Sequence, residues 1–208
     1  MKPLAGGLAA LKQMRKITVR PRGSIAIYYH DGTRRAEYTF KYIRPCAEIP
    51  EHYAAGKRVG VVTPPAHIRN AIEEKHSTQS VSVLHVGTIK YNLFENAGQK
   101  VAQSVGYYPK EIFDRYGSVR EARGLGYLLE HACVSHLKAM DVERVRTTIF
   151  PDSPRGAQLS RVGLPVASSR PIAEWLAGMR RGMAHAWRKK TLAERVKRAA
   201  AMKRKELK

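Results

Sequence analysis

A mixed α/β (α+β) fold, with a mostly antiparallel central sheet flanked by helices, is the class this chain predicts, on three observations. Short runs rich in β-branched and aromatic residues are joined by tight-turn signals at Asp31-Gly32 and Asn96-Ala97-Gly98, the pattern of β-hairpins. One long stretch from Leu125 to Met140 carries apolar residues at three- and four-residue steps, the mark of an amphipathic helix. With 208 residues, an apolar share of 43% and a mean hydropathy of −0.41, the chain has material for one well-buried core but not for two full-sized domains.

The elements follow in order. Residues 1–23 hold Lys2, Lys12, Arg15, Lys16, Arg20 and Arg22 with no acid, and read as a basic N-terminal arm. Residues 24–170 form the main α/β domain, in which 24–80 either completes the same sheet or stands as a separate β-rich subregion. Ser24 to His30 and Arg35 to Arg44 read as two strands turned at Asp31-Gly32, because such a turn needs positive φ. Prolines at 45, 50, 64 and 65 break the next stretch around a short strand at Val59 to Val62. Pro65 then opens a helix that keeps Ile68, Ala71 and Ile72 on one face to about His76. Strands over 80–94 and 99–107 form the second hairpin.

After the Leu125 helix, a strand is expected over Arg144 to Phe150. A short helix is expected near Arg155 to Val162, closed by Gly163 in a left-handed cap. Residues 171–208 form a basic helical extension, with Ile172, Trp175, Leu176, Met179 and Met183 along one face of its start. Beyond these its apolar positions are mostly alanine, which offers little for docking on a core.

Charge narrows the partners. Thirty-eight Lys plus Arg against 17 Asp plus Glu give a formal net charge of +21, and self-repulsion of that size is relieved by a polyanion. Twelve Lys or Arg from Arg180 to Lys208 face only Glu194 and Glu206. The tail therefore predicts phosphate-backbone contact with DNA or RNA, carried by Arg180, Arg181, Arg188, Lys189, Lys190, Arg195, Lys197 and Arg198. No apolar run reaches the ~20 residues of a membrane-spanning helix, and Trp175 and Trp187 alone do not make a lipid anchor. Cys46 and Cys133 lie far apart and in no CxxC spacing, so a cytoplasmic or nucleoid location is expected, with neither a disulfide framework nor a metal site.

The segment from Arg120 to Pro165 combines a Gly-x-Gly turn, a long helix, a strand, a second short helix and Gly163-Leu164. Glycines at 124 and 126 let backbone approach a ligand, and the free N–H groups and dipole of a helix start attract phosphate oxygens. Arg120 and Arg123 add positive charge beside them. In this order the segment resembles the acyl-CoA-binding half of the GNAT superfamily of N-acetyltransferases, over about 46 residues. The family turn falls on Glu121 to Gly126, with Glu121 where Gln or Arg is usual. The resemblance implies a GNAT-like sheet, acetyl-CoA or another acyl-CoA held by Arg120, Arg123, Gly124, Leu125 and Gly126, and an amine acceptor. The family's proton-donating tyrosine falls on Leu159, so an acid or base would come from Tyr107, Tyr108, Glu111 or Ser160.

Joined to the charge, the resemblance implies an N-acyltransferase acting on an amine in a nucleic-acid or nucleoprotein setting. The rival reading is a non-catalytic nucleic-acid-binding or ribonucleoprotein component on a degenerate acyltransferase fold. Three other patterns read as structural. His131, Cys133 and His136 scatter around a helix instead of aligning at i, i+4, which argues against a metal. Asp152 and Ser153 lack a histidine at a recognisable spacing, which leaves a hydrolase triad without support. Tyr38, Phe40 and Tyr42 are either a stacking platform for bases or the inner face of a sheet, and the packed alternative is the commoner use of strand aromatics.

Overall fold

A computed structural model of the chain describes residues 22–75, 80–109, 124–148, 154–164 and 169–188. The strands are β1 (Ser24–Gly32), β2 (Arg35–Ile43), β3 (His52–Tyr53), β4 (Gly56–Val62), β5 (Val83–Asn96), β6 (Gln99–Pro109), β7 (Arg144–Thr147) and β8 (Ser169–Pro171). The helices are α1 (Ala66–Lys75), α2 (Leu125–Ala139), α3 (Pro154–Arg161) and α4 over 172–188. One eight-stranded sheet has the order β3-β4-β1-β2-β5-β6-β7-β8. Only β6 and β7 run parallel, as the intervening α2 crossover requires. The remaining neighbours are antiparallel. β1, β2 and β4 thus belong to the same sheet as the strands that follow residue 80.

The period-two patterning of the strands decides which face is buried. Ile25 and Ile27 of β1, Ala36, Tyr38, Phe40 and Tyr42 of β2, and Leu84, Ile89 and Tyr91 of β5 point into one core. Every described helix contributes to that core: Ile68 and Ile72 from α1, Leu129 and Leu137 from α2, Leu159 from α3, and Trp175 and Met179 from α4. The described helices therefore all cover one face. The opposite face carries a small cluster of Ala26, Tyr28 and Ile43, with Ala47 and Ile49 packed against it.

Tyr38, Phe40 and Tyr42 are fully buried, so they are sheet interior and not a platform for bases. Their polar tips tie the sheet to its helices. Tyr42 Oη donates to Glu73 of α1 at 2.7 Å, and Tyr38 Oη lies 2.9 Å from His136 Nδ1 of α2. Burial raises both phenols well above the usual tyrosine range.

Three expectations change. The β1–β2 turn is at Thr33-Arg34, because Gly32 pairs with Arg35. Arg34, not Gly32, takes the positive φ of 62°. Register wins over local turn chemistry here, since it places Tyr29, Ile27 and Ile25 opposite Tyr38, Phe40 and Tyr42. Next, docking of the basic extension runs on past its apolar start, to Ala186 and Trp187. Trp175 is 0% exposed, and Met179 and Ala186 are also buried, while Gly178 and Gly182 let α4 lie against Leu164 and Tyr127. Finally, β3 and β8 are additions too short for any periodicity. β8 is held by Arg144, whose guanidinium donates to Ser169 Oγ and O at 3.0 and 2.9 Å. Gly163 caps α3 at φ 73°, with Leu164 N donating to Leu159 O at 3.0 Å, a Schellman closure as its position predicts.

Candidate functional site

The β6–α2–β7 unit carries the glycine turn. Glu143 N donates to Lys100 O, which sets the C-terminal end of α2 beside the start of β6. The helix start accordingly lies at the other end of the sheet, with the end of β6. The parallel ladder runs from Val101–Arg144 to Ser104–Thr147. Residues 105–109 of β6 continue beyond it, paired among the described residues only with β5. The carboxyl ends of parallel strands are where open α/β sheets place ligands.

Gly124 is the N-cap of α2 at φ 91° and ψ −11°, with no side-chain cap and no acid in the first turn. Its carbonyl accepts from Leu128 N at 3.1 Å. Among the described residues no side chain caps the first-turn N–H groups, and such a donor set suits phosphate oxygens. On its other side Gly124 is closed by the chain itself. A Cβ there would sit 2.8 Å from Trp187 Nε1 and 3.2 Å from Ala186 Cβ. Gly124 is therefore demanded twice over, by its backbone angle and by α4. Leu125 is fully buried in the core, so only its backbone faces the turn, and Gly126 is half-buried.

Behind the turn, α2, α3 and α4 are joined by a polar cluster. Glu130 is 4% exposed, accepts from Trp175 Nε1 at 3.1 Å and pairs with the Arg155 guanidinium. Tyr127 Oη donates to Gln158 O, and Arg155 lies over the Tyr127 ring. This cluster ties α3 and α4 to α2. No sequence spacing connects Glu130 with Arg155 and Trp175; a carboxylate on the apolar face of α2 was the available signal.

Of the acid and base candidates, Ser160 is exposed on α3. Tyr107 and Tyr108 are placed by their backbone pairing with Ile89 and Thr88. Leu159, at the tyrosine position, is core. Glu111, Arg120 and Arg123 lie outside the described residues, as do the arm through residue 21 and Lys189, Lys190, Arg195, Lys197 and Arg198. Two of the described tail arginines are held by neighbouring helices. Arg180 Nε donates to His131 Nε2 at 3.2 Å, and Arg181 donates twice to Val162 O at the end of α3. Arg188 is exposed. His131 accepts through Nε2, so its imidazole is neutral, and burial together with Arg180 lowers its pKa.

The chain matches no family model, no curated protein and no solved structure. The neighbours of His131, Cys133 and His136 are different: Arg180 for the first, the apolar core for the second and Tyr38 for the third. Among the described residues no group of three or more His, Cys, Asp or Glu is placed to hold a metal ion, and no helix is long and apolar enough to cross a membrane.

Proposed function

We propose that the chain is an acyl-CoA-dependent N-acyltransferase whose amine substrate belongs to a nucleic acid or a nucleoprotein. The observation that carries this reading is the end of the β6–β7 ladder at Ser104–Thr147, with β6 running on to Pro109 and the uncapped, acid-free start of α2 at the same end. The carboxyl ends of parallel strands are where open α/β sheets bind ligands, which suits an extended acyl donor, and helix-start N–H groups are suited to its phosphates.

An acyl-CoA supplies an acyl group activated as a thioester. The chain's part is to bind the phosphates through the amides of Leu125 and Gly126, to hold the acceptor amine in line with the carbonyl, and to manage two protons. A base takes the proton from the attacking amine, and a donor meets the departing thiolate. Tyr108, Glu111 and Ser160 are the groups of suitable chemistry, since Leu159 has no proton to give. The net charge of +21 supplies affinity for a polyanionic acceptor.

A second reading rests on Trp187 and Ala186 against Gly124 and on the buried Leu159: the same scaffold as a nucleic-acid-binding component without turnover. Calorimetric titration of acetyl-CoA into protein freed of nucleic acid separates the two. Saturable binding at or below millimolar ligand, lost in Gly126→Glu, is expected for the acyltransferase. No heat at that concentration, with salt-sensitive oligonucleotide binding retained, overturns it in favour of the second reading.

A further inference from the structure

The face of the sheet turned away from the four described helices carries a row of side chains that the acyl-transfer reading leaves unused. Arg35 of β2 pairs with Asn92 of β5, Asn92 with Gln103 of β6, and Gln103 with Arg146 of β7. Directly opposed residues share a face, and the alternate positions Ala36, Tyr91, Ala102 and Val145 are in the core, so all four of the row point outward. Three strand spacings separate the ends, roughly 14 Å. Arg35 and Arg146 are exposed, and Asn92 and Gln103 are half-buried.

Phe94, two residues beyond Asn92 on the same face, is half-buried beside the row. Arg35, Asn92, Phe94 and Gln103, with the β1–β2 turn, line a depression of about 570 Å³ whose lining, among the described residues, holds two arginines and no acid. Asp31 and Glu95 line the depression that adjoins it, and Asp31 already accepts from Tyr29 Oη at 2.9 Å. Lys90, next along β5, is paired with Glu37 at 2.8 Å.

We propose that this row binds single-stranded nucleic acid, with Asn92 and Gln103 reading unpaired base edges, Phe94 stacking on a base, and Arg35 and Arg146 holding phosphates on either side. The proposal rests on the nucleic-acid half of the reading above and gives it a place distinct from the basic tail. Each carboxamide offers a donor and an acceptor together, the pairing that base edges require. An aromatic face beside them stacks with any base. Cationic groups at both ends of an uncharged middle fit a chain with phosphates on both sides of a base, whereas a free mononucleotide carries them on one side. A duplex does not fit: its major groove admits a helix or a two-stranded ribbon, and these residues lie within a broad sheet. Charge complementarity favours a polyanion, as the chain carries +21.

The test is fluorescence anisotropy of the full chain with labelled single-stranded RNA, the same sequence as DNA, and the corresponding duplex. Asn92→Leu with Gln103→Leu leaves the charge unchanged. It is expected to lower single-strand affinity about ten-fold or more and to leave duplex affinity as it was. Arg35→Gln with Arg146→Gln is expected to reduce the slope of log affinity against log salt by about 1.4 for single strands. Thermal midpoints at the wild-type value show that the variants are folded, as substitutions on an outward face should be. Single-strand binding equal to wild type in the carboxamide variant overturns this proposal while leaving nucleic-acid binding itself in place. A wild-type chain that retains no oligonucleotide at physiological salt overturns both.

Discussion

Replacing Gly124 with alanine tests whether the turn is shaped by α4 as the structure describes. At φ 91° an L side chain costs about 1–2 kcal/mol. The new Cβ would also lie 2.8 Å from Trp187 Nε1 and 3.2 Å from Ala186 Cβ, and overpacking of this kind costs about 1–3 kcal/mol. Together the loss is about 2–5 kcal/mol, or roughly 4–20 °C in Tm for a chain of this size. The two parts separate in a double-mutant cycle. In a Trp187→Ala background most of the steric part is gone, and Gly124→Ala should cost only the backbone part, about 1–2 kcal/mol. Gly126→Ala, inside the helix, is the control and should be neutral or stabilising by up to about 1 kcal/mol. Denaturant unfolding followed by circular dichroism reads all of these. Additivity of Gly124→Ala and Trp187→Ala, or equal effects at Gly124 and Gly126, would refute the packing of Trp187 on the turn.

Three further outcomes are expected. Glu130→Gln leaves Arg155 without its counter-charge beside buried Trp175 and should cost about 3 kcal/mol in urea unfolding, much of it recovered in Glu130→Met with Arg155→Met; equal loss in the double variant would contradict the account. Burial lowers the pKa of both His131 and His136, with Arg180 adding to the effect on His131. The unfolded chain therefore binds protons first as pH falls through about 6.5, and stability should decline from there toward the depressed folded values. His131→Asn with His136→Asn should flatten the dependence of the urea midpoint between about pH 7 and pH 5.5, and an unchanged slope would assign it elsewhere. Cys46 is exposed and Cys133 buried, its thiol pushed well up by burial. A thiol reagent should titrate one cysteine in native protein and both in denaturant, and two fast native thiols would mean that α2 opens readily.

Much of the fold was legible because its elements bury one face each. The Leu125 helix, the second hairpin and the Gly163 cap all follow from periodicities or backbone demands local to a few residues. The β1–β2 turn was not, because the requirement to oppose Ile25 and Ile27 with Tyr42 and Phe40 is a pairwise property. Asp31-Gly32 looked the better turn on local chemistry alone. The site was legible only in part. Gly124 was singled out as a cradle for phosphate, yet the atoms that a Cβ there would meet belong to Ala186 and Trp187, more than sixty residues later. The Arg35–Asn92–Gln103–Arg146 row likewise exists only once four strands are in register, and none of its members stands out in the linear chain.

The strands that end the sheet on either side are its shortest. β3 has two residues and β8 three, the last of them Pro171. An exposed strand edge is a template on which another chain can lay down a strand, and its reach scales with the row of unpaired N–H and C=O groups it offers. Each terminal strand itself offers very few, and proline contributes no N–H at all; among the described residues the longer unpaired edges are those of β4 beyond Arg58 and of β6 beyond Ser104. A further strand laid against this sheet would therefore find its longer templates not on the last strands but where β4 and β6 outrun their neighbours.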